Sequence, residues 1–172
     1  MNIKEKTSKI KAIILDVDGV LTDGKIGYSS KEEEIKFFDV KDGLGINLAL
    51  KSGLKVGILS GRSSSANKTR AKELKLSFLY EGEKDKHSAL IKLLKEHNLS
   101  ADECLYIGDD LIDIPVMKKV GIAVAVGDAV SELDEICDFR TKAFGGNGAV
   151  RETIVWLLKE TYKWNDIVKS YM

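Results

Sequence analysis

The feature that most constrains this chain is the run Ala12-Ile13-Ile14-Leu15, which ends abruptly in Asp16-Val17-Asp18-Gly19. Four apolar residues without polar alternation predict a strand buried on both faces, as in the interior of a parallel sheet. Such sheets place their ligands just beyond the carboxyl ends of the strands. A side-chain period of two sends Asp16 and Asp18 to one side and Val17 to the other. Gly19 then lets the chain turn sharply. Two carboxylates so close repel each other unless a cation or a shared proton intervenes. The pattern is open to three readings: a site for a hard metal such as Mg²⁺, a division of labour between nucleophile and acid/base, or a plain acidic turn.

The rest of the chain alternates strand-like and helix-like segments. Apolar runs predict strands over residues 54–59, 76–80, 104–108 and 120–126, with an edge strand over 138–141. Helical spacing predicts helices over 43–53, 63–74, 84–97, 129–136 and 149–162, and a last turn or two over 163–172. Asp42 is the expected N-cap of the first of these and Gly53 its stop. Ser100 and Glu103 fit a capping box, and Pro115 suits a first helical turn. His87 reads as solvated and His97 as a packing residue. Residues 25–39 read as a β-hairpin, and Tyr28, Phe37 and Phe38 give it more aromatic surface than a solvated hairpin needs. This order implies right-handed crossovers and an α/β fold, a doubly wound parallel sheet with the hairpin inserted after the first strand. If the first and fourth strands are neighbours, Asp16, Asp18, Asp109 and Asp110 meet in one crevice, and four carboxylates there call for a divalent cation.

The 172 residues are expected to form one domain spanning 1–172, burying about 70% of the unfolded surface. With 27 basic and 27 acidic side chains, charge gives no reason to expect nucleic acid or an anionic membrane as partner. Cys104 and Cys137 are far apart in apolar contexts, which suits free thiols in a reducing compartment. The first residues lack the apolar core of a signal peptide, and the run 120–126 is too short to span a bilayer. A cytoplasmic location is expected.

Other residues at successive strand and helix ends are of the types that a phosphoryl-transfer site would need. Ser60 and the Gly61 backbone can donate to phosphate oxygens, and Lys86 offers a point charge. Asp109 can ligate Mg²⁺ together with Asp16 and the backbone carbonyl of Asp18, while Asp110 and Asp113 can anchor metal-bound water or hold Lys86. Each has a structural alternative taken singly: a turn hydroxyl, a solvated lysine, a helix cap. The order Asp-x-Asp-Gly-Val-Leu-Thr, Ser, Lys, Gly-Asp-Asp-x-x-Asp over residues 12–113 resembles the four signatures of the haloacid dehalogenase-like phosphatases. The resemblance implies that Asp16 is a nucleophile forming an aspartyl-phosphate and Asp18 the general acid/base. No insertion is long enough for a cap domain.

The hairpin, Gly108-Asp109-Asp110-Leu111-Ile112-Asp113 and Gly145-Gly146-Asn147-Gly148-Ala149-Val150-Arg151-Glu152 together resemble the capless 3-deoxy-D-manno-octulosonate 8-phosphate phosphatase family. That resemblance implies a small phosphorylated sugar acid as substrate and a homotetramer in which hairpins pack together and segment 145–152 reaches a neighbour's site. Arg62 and Arg151 are then the expected partners of the sugar-acid carboxylate, which a guanidinium fork matches bidentately. A 9-phospho nonulosonate phosphatase is the nearest alternative, and Arg62 speaks against it. A phospho-receiver domain, the alternative from another class, carries its lysine after its last strand, whereas Lys86 precedes the Asp109 cluster.

Overall fold

The structure is a computed structural model that describes residues 2–172. Six parallel strands form its sheet: β1 (Ala12–Leu15), β4 (Lys55–Leu59), β5 (Phe78–Tyr80), β6 (Cys104–Gly108), β7 (Ile122–Ala125) and β8 (Phe139–Arg140). Their spatial order is β5-β4-β1-β6-β7-β8, with Leu15 paired to Ile58 on one side and to Ile107 on the other. The chain first winds outward from β1 to β5 and then returns to lay β6 on the free side of β1. The strand order reverses there, so the tips of β1 and β6 adjoin as the sequence expectation requires.

The alternation of side chains splits the core in two. Ile13, Leu15, Val56, Ile58, Leu105 and Ile107 face α2 (Val40–Lys51), α3 (Ser65–Glu73) and α6 (Ala149–Glu160). Ile14, Leu59, Tyr106 and Ala123 face α4 (Lys86–His97) and α5 (Ile114–Met117). Gly57 leaves room for Phe78 on the next strand, whose ring would lie 2.1 Å from a Cβ there. Between β1 and α2 the chain forms the expected hairpin, though its strands are only β2 (Gly27–Tyr28) and β3 (Glu34–Ile35). Phe38 does not join the exposed aromatic surface; it packs against the core with the Arg70 guanidinium 5.5 Å above its ring.

Several boundaries differ from the sequence expectation for identifiable reasons. The helix expected over 43–53 begins at Val40 because Asp39 is its cap, accepting from Lys41 and Asp42 N–H. Asp42 is buried in the first turn and caps another helix: it accepts from Gly148 N–H at 3.3 Å and Arg151 N–H at 2.7 Å, at the start of α6. Gly148 has no side chain to cap with, so α2 supplies the acceptor. The segment 129–136 forms a 3₁₀ turn, Ser131–Leu133, rather than a helix. The polar segment α1 (Ile3–Lys9), closed by a capping box between Asn2 and Glu5, was not anticipated. His97 packs on Phe78 at 4.9 Å, and Cys104 and Cys137 are free. The last helix, α7 (Trp164–Lys169), lies against α2 and α6. Among the described residues no helix is long and apolar enough to cross a membrane.

Candidate active site

The turn after β1 is built by Thr22, the last residue of the Asp-x-Asp-Gly-Val-Leu-Thr motif. Its hydroxyl oxygen accepts from Gly19 N–H and Gly24 N–H, and the Val17 carbonyl accepts from three successive N–H groups. Gly19 is required twice over. Its φ is +89°, and a Cβ there would lie 2.0 Å from a carboxylate oxygen of Asp109. The Gly145-Gly146 step braces the same turn from outside. A Cβ on Gly145 would sit 1.7 Å from the Gly19 carbonyl oxygen, and Gly146 N–H donates to Val20 O at 2.9 Å. The glycine run expected to reach a neighbour's site is thus engaged with its own chain's turn.

The strand tips enclose a cleft of about 250 Å³ lined by Asp16, Asp18, Gly24, Ser60, Gly61, Arg62, Asp109, Asp110 and Ile112. A hollow beside α2 and α3 is larger, at about 560 Å³, yet its ionisable residues Lys51, Glu73 and Lys75 are all exposed. Among the described residues, buried charges converge only in the strand-tip cleft. Lys86, the first residue of α4 behind the capping Asp85, is buried, with its ammonium 3.0 Å from Asp16 Oδ2 and 2.7 Å from Asp113 Oδ1. Asp113 is buried and saturated: Oδ1 also accepts from the Tyr106 hydroxyl at 2.6 Å, and Oδ2 accepts from Asp109 N–H and Asp110 N–H. Asp113 therefore holds Lys86 and shapes the Asp109 loop. Asp110 is exposed and caps the following 3₁₀ turn.

Electrostatics identify what this cluster lacks. Burial, then the charges of Asp16, Asp113 and Asp110, push the Asp109 carboxyl up to about 8. Burial also pushes Asp16 up to about 6, although Lys86 opposes it. Lys86 stays above its ordinary value because Asp16 and Asp113 together outweigh its own burial. One ammonium among three carboxylates, Asp16 and Asp113 buried and Asp109 partly buried, leaves negative charge uncompensated. Carboxylate oxygens of Asp16, Asp109 and Asp113 lie within 4.8 Å of one another. Since Asp113 already receives four donors, Asp16 and Asp109 are the pair free to ligate. An all-oxygen donor set of this kind suits Mg²⁺.

Ser60 is buried at the tip of β4, its Oγ accepting from Arg62 N–H at 3.3 Å. Asp18 lines the cleft, and Lys36 of the hairpin donates to its Oδ1 at 2.6 Å. The Arg62 side chain bonds Glu34 and stands 3.8 Å from Asp18 Oδ2. Arg151, expected at a neighbour's site, lies away from this cleft in its own chain. Its guanidinium lies 5.3 Å above the Trp164 ring, and its stem packs on Gly45. Lys36, Glu34 and Tyr106 were missed by sequence reasoning. Tyr106 reads as an ordinary core residue of β6, and the two hairpin residues are charged positions beside a turn.

The chain is 44% identical over 153 residues to the 3-deoxy-D-manno-octulosonate 8-phosphate phosphatase of Escherichia coli K12, covering 89% of this chain and 81% of that protein. The chain belongs to the 3-deoxy-D-manno-octulosonate 8-phosphate phosphatase family. A family profile described as haloacid dehalogenase-like hydrolase matches residues 78–152. The Moraxella catarrhalis phosphatase, crystallised in complex with magnesium, phosphate and a KDO molecule, superposes with a TM-score of 0.95 at 38% identity, covering 99% of this chain and 98% of that one. A cobalt-bound form of the Haemophilus influenzae phosphatase gives a TM-score of 0.89 at 37% identity, covering 92% and 93%. The family is one of phosphatases, and metal ions accompany both of these relatives.

Proposed function

We propose that this chain hydrolyses 3-deoxy-D-manno-octulosonate 8-phosphate to the free sugar acid and phosphate. The observation that carries the reading is Lys86, buried between Asp16 and Asp113 beside the uncompensated Asp109. Asp16, held by Lys86 through Oδ2, attacks phosphorus while the ester P–O bond breaks. Asp18 gives its proton to the departing sugar oxygen. A water molecule then attacks the aspartyl-phosphate, passing a proton to Asp18 and freeing Asp16. Ser60 Oγ, the Gly61 N–H and the Lys86 ammonium contact the phosphoryl oxygens as charge spreads over them. Asp16, Asp109 and the Asp18 backbone carbonyl would hold Mg²⁺, which would supply charge neutralisation for the phosphoryl group. The expected test result is Mg²⁺-dependent hydrolysis of this sugar phosphate well above that of a 9-phospho nonulosonate. The reverse preference would refute the substrate assignment.

The single 172-residue domain, the cytoplasmic location and the homotetramer belong to the same proposal. Support for the tetramer comes from the hairpin, where Tyr28 is 64% and Phe37 81% exposed, beside exposed Ile26, Ile35 and Val40. Light scattering should give four copies, and Phe37→Asp should break the assembly. A monomeric native protein would exclude it.

A further inference from the structure

Lys36 carries a burial that its sequence context does not explain. Its side chain is 0% exposed although it belongs to a short hairpin at the edge of the cleft. Lysines are almost never buried unless paired, and ordering one costs about 2 kcal/mol of rotamer freedom. The pairing here is with Asp18 Oδ1 at 2.6 Å, and Glu34 Oε2 lies 3.8 Å from the same ammonium. Strand periodicity accounts for the direction: Glu34 and Lys36 share one face, and Ile35 and Phe37 the other. The polar face is turned inward to Asp18, and the apolar face outward. The insertion is therefore a wall of the site on one side and an uncovered hydrophobic surface on the other.

The two oxygens of Asp18 are in unlike circumstances. Oδ1 is anchored by Lys36, whereas Oδ2 is buried without a hydrogen-bond partner, with Arg62 Nε at 3.8 Å. Of the two cations near Asp18, Arg62 is 46% exposed in its side chain and bonded to Glu34, so Lys36 is the fixed one. We infer that Lys36 is a positioning residue of this enzyme: it pins Asp18 by Oδ1 and leaves Oδ2 as the oxygen that exchanges protons with the leaving group and the attacking water. The inference rests on Asp18 being the acid/base group. Without the anchor the carboxylate is free to turn about its own axis, and a misplacement of an ångström is enough to cost about 10²-fold in rate.

The test compares kcat/KM, which reports steps through phosphoryl transfer, on the sugar-acid phosphate and on p-nitrophenyl phosphate. The aryl leaving group needs little protonation. Lys36→Gln is expected to lower the first by about ten- to hundredfold, no more than the roughly 10²–10⁴ that acid/base catalysis supplies in full, and the second by no more than about threefold. In an Asp18→Asn background the same substitution should cost nothing further, because Lys36 acts through Asp18. Equal losses on both substrates, or a further loss in that background, would overturn the inference. If Asp18→Asn itself cleaves the sugar phosphate at the native rate, the acid/base reading fails first. Should Lys36→Gln not fold, Lys36→Arg keeps the charge but displaces the anchor. Its ratio of the two constants should still fall several-fold, and an unchanged ratio would overturn the inference equally.

Discussion

In the metal-free protein, acidification from pH 8 to pH 6 should raise stability, and Mg²⁺ should remove that dependence. Asp109 stands at about 8 in the folded chain against 3.8 unfolded, and Asp16 and Asp42 at about 6. Each value is raised, so the folded state binds more protons than the unfolded one between the two values. Stability from these groups is fully present below about pH 4 and is lost as pH rises through about 6 for two of them and about 8 for Asp109. One proton held over two pH units amounts to about 2.7 kcal/mol. Screening at the partly exposed Asp109 reduces this to roughly 1–2 kcal/mol, or about 2–8 °C in Tm for a chain of this size. The exposed acids with lowered values, Asp23, Asp85, Asp102 and Glu103, act in the opposite sense, but only below this window. Mg²⁺ competes with the proton on Asp109, so at 100 times its Kd it should add about 2.7 kcal/mol at pH 8 and clearly less at pH 6. Calorimetric unfolding at both pH values, with chelator and with Mg²⁺, measures all four quantities. A metal-free Tm that falls on acidification, or a Mg²⁺ increment undiminished at pH 6, would refute the claim that the acid cluster is short of a cation.

Three substitutions probe the scaffold around the site. Gly19→Ala places a methyl group in the Asp109 carboxylate at a positive φ, so Mg²⁺ affinity and turnover should fall together, with a stability loss of more than about 1 kcal/mol; a fully active variant would contradict the packing. Asp42→Ala strips α6 of its acceptor and should cost about 1–2 kcal/mol by thermal unfolding, whereas an unchanged Tm would mean that the cap is not needed. Arg151→Ala removes a stack on Trp164 and should lower Tm while changing KM for the sugar-acid phosphate and for an aryl phosphate alike; a rise confined to the sugar acid would place its guanidinium in a neighbour's cleft.

Much of the site was legible because its groups sit at element ends, which local pattern marks well. Asp16, Ser60, Lys86 and Asp109 each follow an apolar run or open a helix, and parallel pairing brings those ends together. What the pattern hid depends on contacts distant in sequence. Lys36 is 18 residues from Asp18, and nothing in a charged hairpin tells which face turns inward. Asp42 looks like the cap of its own helix because it stands before an apolar stripe, but Asp39 comes earlier and leaves Asp42 to serve α6, more than a hundred residues on. The glycine run 145–148 reads as a segment reaching a neighbour's site, while within its own chain it answers the close approach of the Gly19 carbonyl. Helix α1 did leave a local signal, Asn2 three residues before Glu5, which its polar composition masked.

The central claim is that Asp16 carries the phosphoryl group, and it is tested most directly by trapping that group. Asp18→Asn, mixed with p-nitrophenyl phosphate and Mg²⁺ and quenched in acid, should yield a peptide phosphorylated at Asp16, since the variant can form the acyl phosphate but hydrolyses it slowly. Label on any other residue, or turnover by Asp16→Asn near the native rate, would contradict the account.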